Sequence, residues 1–594
     1  MSFTWTDRDL NPEQTRAVLE EGNVFLVACP GSGKTRTLTY KIARELSRLE
    51  NPKQFLVAFT YTNRAAEEIH ERIENLGIDT SQLWIGTIHS FCLEWILKPY
   101  CIYLPELAHG YRVIDAHEQE RLLTEFCAQQ GRVTFWDCGY YATEEGYELS
   151  CLDVRKHQAL RAVYARYFTH LSDNRQIDFE LILQYASKLI RSKPEIAKIL
   201  SKLFPLVLVD EFQDTKRIQY SILAAILRVG GGTKIFIVGD PNQAIYGSLG
   251  GFAIPAQEFA DMCQIELTEL ELSGNYRSSS RIIDYFSNYN VFPTQIQPAS
   301  SDSAFPSTVS YNDTVLKDDL VEEVATLIQQ ALHAGISENE ICILAPWWIQ
   351  LAAITRRLVG LLPECNFDGP GTVPFSRDPE NFWYQLSRIA LTQASPSQYI
   401  RRTRWAAEVI QELDGQGIDV SRISTKILLR ESNSIQLGER DGLSYLEQYF
   451  DELMGRLDID WRAHALLAEH HQTFFDSSAV RIQKMHDEGL DFGDIDYFRK
   501  VFRHRTGITV NTIHGVKGAE FDVVIAFGLL EGMVPHFSDA DGEASAKKML
   551  YVVGSRARKH LHLIAERGRN RGGRYGQYSP TNVLARCIFE YTVR

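Results

Sequence analysis

"NVFLVACPGSGKT", residues 23–35, is the stretch whose reading decides the fold. Its apolar half reads as a buried strand, because a parallel strand covered on both faces shows no polar alternation. Glycines then break the strand, and "KTRTLTYKIARELSRL" (34–49) has the periodicity of a helix. A strand, a glycine-rich turn and a helix, in that order, gather backbone N–H groups and a helix N-terminus around a phosphate. The spacing assigns Lys34 to the β/γ-phosphates of a nucleotide and the Thr35 hydroxyl to Mg²⁺. Gly31, Ser32, Gly33 and Arg36 complete the expected ATP-binding loop, with Ala28 at the position of the pattern's first glycine.

The same alternation continues outward. "QFLVAFT" (54–60), "LWIGT" (83–87), "FPLVLVDE" (204–211) and "KIFIVGD" (234–240) read as strands, and "NRAAEEIHERIENL" (63–76) as a helix. Such a series predicts an α/β fold with a parallel sheet and helices on both faces. Residues 91–200 lack these runs and read as a mostly helical insertion. A second series follows: "EICILAP" (340–346), "GITVNTIH" (507–514), "FDVVIAFG" (521–528) and "HLHLIAE" (560–566). It is interrupted by a helical, charged segment over 385–505. The expected organisation is a first domain of 1–90 with 201–275, and a second of 276–384 with 506–594.

Bulk properties narrow the class. The 594 residues carry a formal net charge of −14, which governs solubility and not what one groove can hold. Ten cysteines stand singly, with no CxxC pair, against zinc or iron–sulfur ligation and for reduced thiols. No run approaches the roughly 18 apolar residues of a membrane span. "MSFTWTDRDLNPEQ" has no export signal, so a cytoplasmic protein is expected, with no membrane partner. His470-His471 lacks companion ligands and reads as a solvated helix face. "RGRNRGGRYGQYS" (567–579) reads as a flexible surface turn.

A nucleotide hydrolase also needs carboxylates at a strand end. "VLVDEFQDT" (207–215) supplies them: Asp210 to bind Mg²⁺ through water and Glu211 to act as general base on the attacking water. Charge on the γ-phosphate calls for arginine.

With "DEFQDT" in place, the chain resembles the UvrD/Rep/PcrA family of superfamily 1 DNA helicases, and the motifs come in the family's order. "LNPEQTRAV" (10–18) is similar to the glutamine motif, which implies that Gln14 reads the adenine edge. "AFTYTNRAAEEI" (58–69) and "GTIHSF" (86–91) resemble stretches lining the single-strand path. "VGDPNQAIYG" (238–247) carries Gln243, implied to sense the γ-phosphate. "LSGNYRSS" (272–279) carries Tyr276, implied to stack on adenine, and Arg277, implied on the γ-phosphate. "TIHGVKGAEFDVV" (512–524) and "EGMVPH" (531–536) resemble motifs of the second motor domain, with Glu520 near the ribose. "YVVGSRARKHLHLI" (551–564) carries Arg556, the second arginine finger.

The resemblance implies two RecA-like domains, ATP with Mg²⁺ as cofactors, and single-stranded or partly duplex DNA as partner. It also implies 3′ to 5′ movement, driven by closure of the two domains on ATP. Thr60, Thr62, Thr87, His89, Thr512 and His514 sit at strand ends, where hydroxyl and N–H donors hold phosphates without reading bases. Asn63 joins this DNA-binding set, with a helix cap as its alternative. Such contacts do not test for a 2′-hydroxyl, so RNA stays open.

Departures from the family pattern qualify the activity. After "IYG" the family carries an aromatic residue and an arginine, the aromatic stacking on a base; here Ser248 and Leu249 stand there. The acidic pair before the last motif is replaced by Ser545 and Ala546, and the second insertion is short. Three readings remain at this point. The first is an autonomous translocase and helicase. The second is the ATPase subunit of a complex with a nuclease partner, as in Gabija-type phage defence. The third is an ATP-binding switch without sustained turnover, against which intact Glu211, Gln243, Arg277 and Arg556 argue.

Overall fold

The computed structural model describes residues 3–114, 116–369, 373–375, 378, 381–487, 492–502, 507–537, 539, 541–571 and 576–593. The chain forms two compact units, one of residues 1–313, 517–520 and 528–594, the other of 314–516 and 521–527. Both are α/β, as the strand–helix alternation predicts, and the chain has the parallel sheets of two RecA-like domains.

The first unit is built on six parallel strands. They are β1 (Val24–Ala28), β2 (Leu56–Phe59), β3 (Leu83–Gly86), β4 (Leu206–Val209), β5 (Lys234–Gly239) and β6 (Thr268–Leu272). Their order across the sheet is β6-β1-β5-β4-β2-β3. Alternate residues go to opposite faces, so the uninterrupted apolar runs are needed on both. Leu26, Ala58, Leu208 and Phe236 pack with Leu38 and Ile42 of the helix after β1. Phe25, Val57, Val207 and Ile235 pack the other way, against Phe91, Phe204 and Phe212. That second core runs on into the insertion, through Leu160, Tyr164 and Leu189, so the insertion shares its core with the sheet. It holds the helices Ala116–Gln130, His157–Asp173, Phe179–Ser192 and Pro194–Leu203, and a hairpin of Tyr140–Ala142 with Tyr147–Leu149.

The first unit also contains a parallel pair, β7 (Thr308–Asn312) with a strand at Ala557–Ile564. Neither β6 nor β7 was expected from the sequence. β6 ("TELEL") alternates exposed glutamates with buried leucines, the pattern of a strand covered on one face, whereas in β7 ("TVSYN") both Val309 and Ser310 are buried, the serine bonded to His562.

In the second unit, β8 (Ile341–Ala345), β9 (Phe367–Asp368), β10 (Ile508–Thr512) and β11 (Phe521–Ala526) are parallel, in the order β11-β8-β10-β9. The helical segment of this unit has its own core, with Trp383, Leu446, Phe450 and Phe498 fully buried.

Here one expectation fails. His471 is not on a solvated face: its ring stacks on Trp461 at 4.4 Å and meets the Trp383 ring edge-on at 5.0 Å. Leu467, His471, Phe474 and Ser478 recur at helical spacing on helix Ala465–Asp487, so the imidazole lies in its apolar stripe. Burial holds its pKa below the usual value. Part of the basic turn, 572–575, lies outside the described residues; its limbs hydrogen-bond to each other, Tyr578 N–H to the Arg569 carbonyl and Arg571 N–H to that of Gly576. No described helix is long and apolar enough to cross a membrane.

Candidate functional site

All the nucleotide-site residues predicted from sequence lie in the first unit. β1 ends at Ala28, and the chain then turns through Gly31 (φ +69°) and Gly33 (φ +80°), both in the left-handed region open to glycine. Space as well as φ demands these glycines. A Cβ on Gly31 would stand 2.6 Å from Arg277 Cβ, and one on Gly33 2.6 Å from Gln14 Nε2. Ser32 Oγ donates to the Cys29 carbonyl at 2.7 Å and closes the turn. Helix α2 (Lys34–Arg48) starts directly after it, with Lys34 and Thr35 at its first two positions and exposed Arg36 at the third.

Two elements clasp this loop. Helix α1 (Pro12–Leu19) opens with a capping box: Gln14 N–H donates to Asn11 Oδ1 at 2.8 Å and Asn11 N–H to Gln14 Oε1 at 3.0 Å. Gln14 Nε2 in turn donates to the Ser32 carbonyl at 2.8 Å. The glutamine expected at adenine therefore also braces the phosphate loop, with one amide N–H and one lone pair left for a base edge. From the other side, fully buried Asn275 donates from Nδ2 to the Pro30 carbonyl at 2.8 Å and accepts from the Arg277 and Ser278 N–H groups. Tyr276 N–H reaches the Gly31 carbonyl at 3.0 Å. The Tyr276 hydroxyl accepts from Asn11 Nδ2 at 2.7 Å, which leaves its ring half exposed beside the loop. Asn275 was passed over in sequence because an asparagine in "SGNYRSS" reads as turn chemistry.

The carboxylates stand at the end of β4. Asp210 Oδ1 accepts from the Glu211 N–H at 3.0 Å. Glu211 has φ +54°, an uncommon left-handed conformation for a residue with a side chain, of the kind that clusters at active sites. Burial and the Glu211 charge push the Asp210 carboxyl up to about 7. Burial also acts on Glu211, but the Lys34 and Lys517 ammonium groups outweigh it and hold that carboxyl down near 2. The two lysines thus favour the charged form at Glu211, while burial and the Glu211 charge disfavour it at Asp210. Gln213 fixes Glu211, donating from Nε2 to the Glu211 carboxylate while its Oε1 accepts from the Asp240 N–H at 3.0 Å.

Lys34 makes no direct hydrogen bond or ion pair among the described residues, yet its charge lowers Asp210, Glu211, Asp214 and Asp240 together. The donor oxygens of Thr35 and Asp210 suit Mg²⁺, which keeps waters and shares phosphate oxygens instead of filling a protein cage. The described residues contain no group of three or more His, Cys, Asp or Glu arranged to hold a metal.

Opposite the carboxylates stand two arginines. Arg556 is 1% exposed, at the C-terminal end of the helix Gly542–Ser555. Its Nη2 donates to Gln243 Oε1 at 2.8 Å, and Gln243 Nε2 donates to Asp240 Oδ2 at 2.7 Å. Burial, and then the nearby Arg277 charge, lower its pKa. Arg277 donates from Nε to Glu520 Oε2 at 2.5 Å and from Nη1 to the Ser555 carbonyl at 2.9 Å. The Arg277 charge holds Glu520 low against the effect of burial.

Lys517 was missed. It lies inside "GVKG", where a lysine between glycines reads as a surface residue. Its Nζ instead pairs with Asp214 Oδ2 at 2.5 Å, donates to the Gln243 carbonyl at 2.8 Å, and sits 5.3 Å from the Tyr246 ring centre.

Of the residues assigned to the strand path in this unit, Thr60, Thr87 and His89 border a cleft of about 400 Å³, together with Tyr61 and Tyr246; Thr62 is not among its lining residues. Thr60 is buried, with its hydroxyl donating to the Thr62 carbonyl at 3.0 Å. Thr62 Oγ1 accepts from the Ala65 N–H at 3.2 Å and caps helix α3 (Asn63–Asn75), so the capping alternative for Asn63 falls to its neighbour. Asn63 is the first helical residue; its side chain lies outside the described set. Thr87 caps the next short helix through Ser90 N–H at 3.3 Å. His89 has a buried Nε2 without a hydrogen-bond partner, and burial pushes its pKa down to about 4. Tyr61 and Tyr246 stack at 4.8 Å, with Tyr61 42% exposed, a pair that no motif reading singled out. In the second unit, Thr512 Oγ1 accepts from Gly515 N–H at 3.0 Å at the end of β10, and His514 opens the turn that follows.

Residues 10–253 match the family model of the UvrD/REP helicase N-terminal domain, and 498–568 that of the UvrD-like helicase C-terminal domain. The chain is 25% identical to the ATP-dependent DNA helicase PcrA of Bacillus subtilis (strain 168), over 97% of this chain and 85% of that protein. It is 23% identical to the PcrA proteins of Staphylococcus epidermidis (strain ATCC 12228 / FDA PCI 1200) and Staphylococcus aureus (strain MRSA252), over 97% of this chain and 86% of each.

Proposed function

The chain belongs to the UvrD/Rep helicase family, and from that premise we propose that it is an ATP-dependent DNA helicase that moves 3′ to 5′ on single-stranded DNA. The observation that carries the reading is the chain of contacts from Arg556 through Gln243 to Asp240, beside Glu211, whose charged form Lys34 and Lys517 favour. Lys34 and the loop N–H groups hold the β- and γ-phosphates. Glu211 takes the proton of the attacking water. Arg277 and Arg556 neutralise the charge that develops on the γ-phosphate oxygens. Thr35 and, through water, Asp210 would hold Mg²⁺, which would supply Lewis-acid neutralisation of phosphate charge. Gln243, bound to Arg556, reports the γ-phosphate. The motor domains proposed are 1–90 with 201–275 and 276–384 with 506–594, and ATP draws them together in a cytoplasmic enzyme.

Lys34→Ala or Glu211→Ala abolishes ATP hydrolysis under this assignment, read by phosphate release. Retained turnover in either variant overturns the site. A second reading, an ATPase subunit working beside a nuclease, is favoured by one observation: Ser248 and Leu249, the latter 52% exposed, stand where the family stacks an aromatic on a base. Copurification of a nuclease subunit with the tagged chain at fixed stoichiometry supports that reading, and isolation of an active single chain opposes it.

A further inference from the structure

At the carboxyl edge of the second unit's sheet, one large aromatic side chain has no structural work to explain its position. Helix α4 (Trp348–Leu361) follows β8 and packs onto β8 and β10 through Leu351, Ile354, Thr355 and Leu358, all buried. Trp348 precedes Leu351 by three residues and Thr355 by seven. Helical geometry therefore puts it on the sheet-facing side, one turn beyond the last residue that the sheet covers. The strands stop level there: Ala345 of β8 is in register with Thr512 of β10, and Ile513 N–H donates to the Ala345 carbonyl at 3.1 Å. Trp348 thus overhangs the ends of β8 and β10 and is 59% exposed, where core packing would have buried it. In open parallel α/β sheets this carboxyl edge is where ligands bind.

Thr512 and His514 stand at the same edge. The Thr512 hydroxyl already accepts from the Gly515 N–H, which leaves its proton to donate outward, to a phosphate. Phosphate donors beside an exposed indole form the two-part site that single strands require: a backbone grip and a π-face for a base. Positions 248 and 249, Ser and Leu, offer no such face.

Resting on the nucleic-acid reading above, we infer that Trp348 is a base-stacking platform for single-stranded nucleic acid, working with Thr512 as phosphate donor. A stacked base is held by its face, so the platform is indifferent to sequence.

The test compares two strands of equal length: oligo(dT), and a strand of the same phosphates whose central nucleotides are abasic. Binding is followed by fluorescence anisotropy on the full chain at fixed salt. Trp348→Ala weakens oligo(dT) binding by roughly 5- to 100-fold and leaves the abasic strand unchanged. Trp348→Phe, which keeps a ring, recovers most of the difference. Equal weakening on both strands, or no weakening on either, overturns the platform. A wild-type chain that binds neither strand overturns the nucleic-acid reading and the platform with it, an outcome distinct from the other two. Thermal unfolding of Trp348→Ala within a degree or two of wild type shows that any loss is not one of folding.

Discussion

Lys517 and Asp214 form a buried ion pair beside the carboxylates, with the lysine side chain 9% exposed and the aspartate's 1%. Removing one member of a buried pair leaves the other charge uncompensated, at a cost of about 3–5 kcal/mol. Burial already pushes Asp214 up to about 7 although Lys517 pulls it down, so without the lysine it takes a proton more readily still. Lys517→Ala is therefore destabilising by more at pH 8 than at pH 6, and it lowers ATP turnover because Gln243 and Glu211 lose a shared neighbour. Denaturant titration at the two pH values checks the first point, and a loss equal at both contradicts it. His89 gives the opposite sign. Its folded pKa of about 4 lies below its ordinary 6.5. The neutral ring's contribution is complete above about 6.5 and is lost as pH falls toward 4. His89→Leu flattens the acid side of the stability profile, and an unchanged profile shows that His89 is not the group responsible.

Among the elements, the phosphate loop is the one whose sequence leaves least freedom. Gly33→Ala forces a side chain into φ +80° and against Gln14 Nε2. The loop then pulls away from α1, and the Michaelis constant for ATP rises at least tenfold while the chain still folds. Steady-state kinetics with an unaltered Michaelis constant contradict the bracing role of Gln14. This loop was legible because its glycines, lysine and threonine are required together, and so was each strand that carries an uninterrupted apolar run, from β1 to β5. The short strands β6 and β7 were not, since five-residue runs that alternate polar with apolar residues do not stand out from loops. His471 was misread for the converse reason: a polar residue in an apolar stripe is invisible until its Trp461 and Trp383 neighbours, distant in sequence, are placed. Asn275 and Lys517 escaped because their roles lie in contacts to backbone carbonyls, and no pattern of residue types encodes a carbonyl's position.

For the whole molecule, the residues assigned to ATP and those assigned to the strand are joined within the first unit by a short run of contacts. Tyr61, exposed at the cleft, stacks on Tyr246; Tyr246 lies under the Lys517 ammonium; Lys517 binds Asp214 and the Gln243 carbonyl; Gln243 binds Arg556. On the function proposed, a strand that displaces or extends the tyrosine stack would act on the lysine, and through it on the γ-phosphate side of the site. ATP hydrolysis is then coupled to occupancy of the cleft, which is what distinguishes a motor from a switch. The measurement that tests this most directly is the steady-state rate of ATP hydrolysis by the purified chain with and without single-stranded oligo(dT), with Lys34→Ala as control. Strong stimulation of the wild type, at least tenfold, and no turnover by the variant are expected. A wild-type rate indifferent to the strand contradicts the coupling and with it the reading of this chain as an autonomous motor.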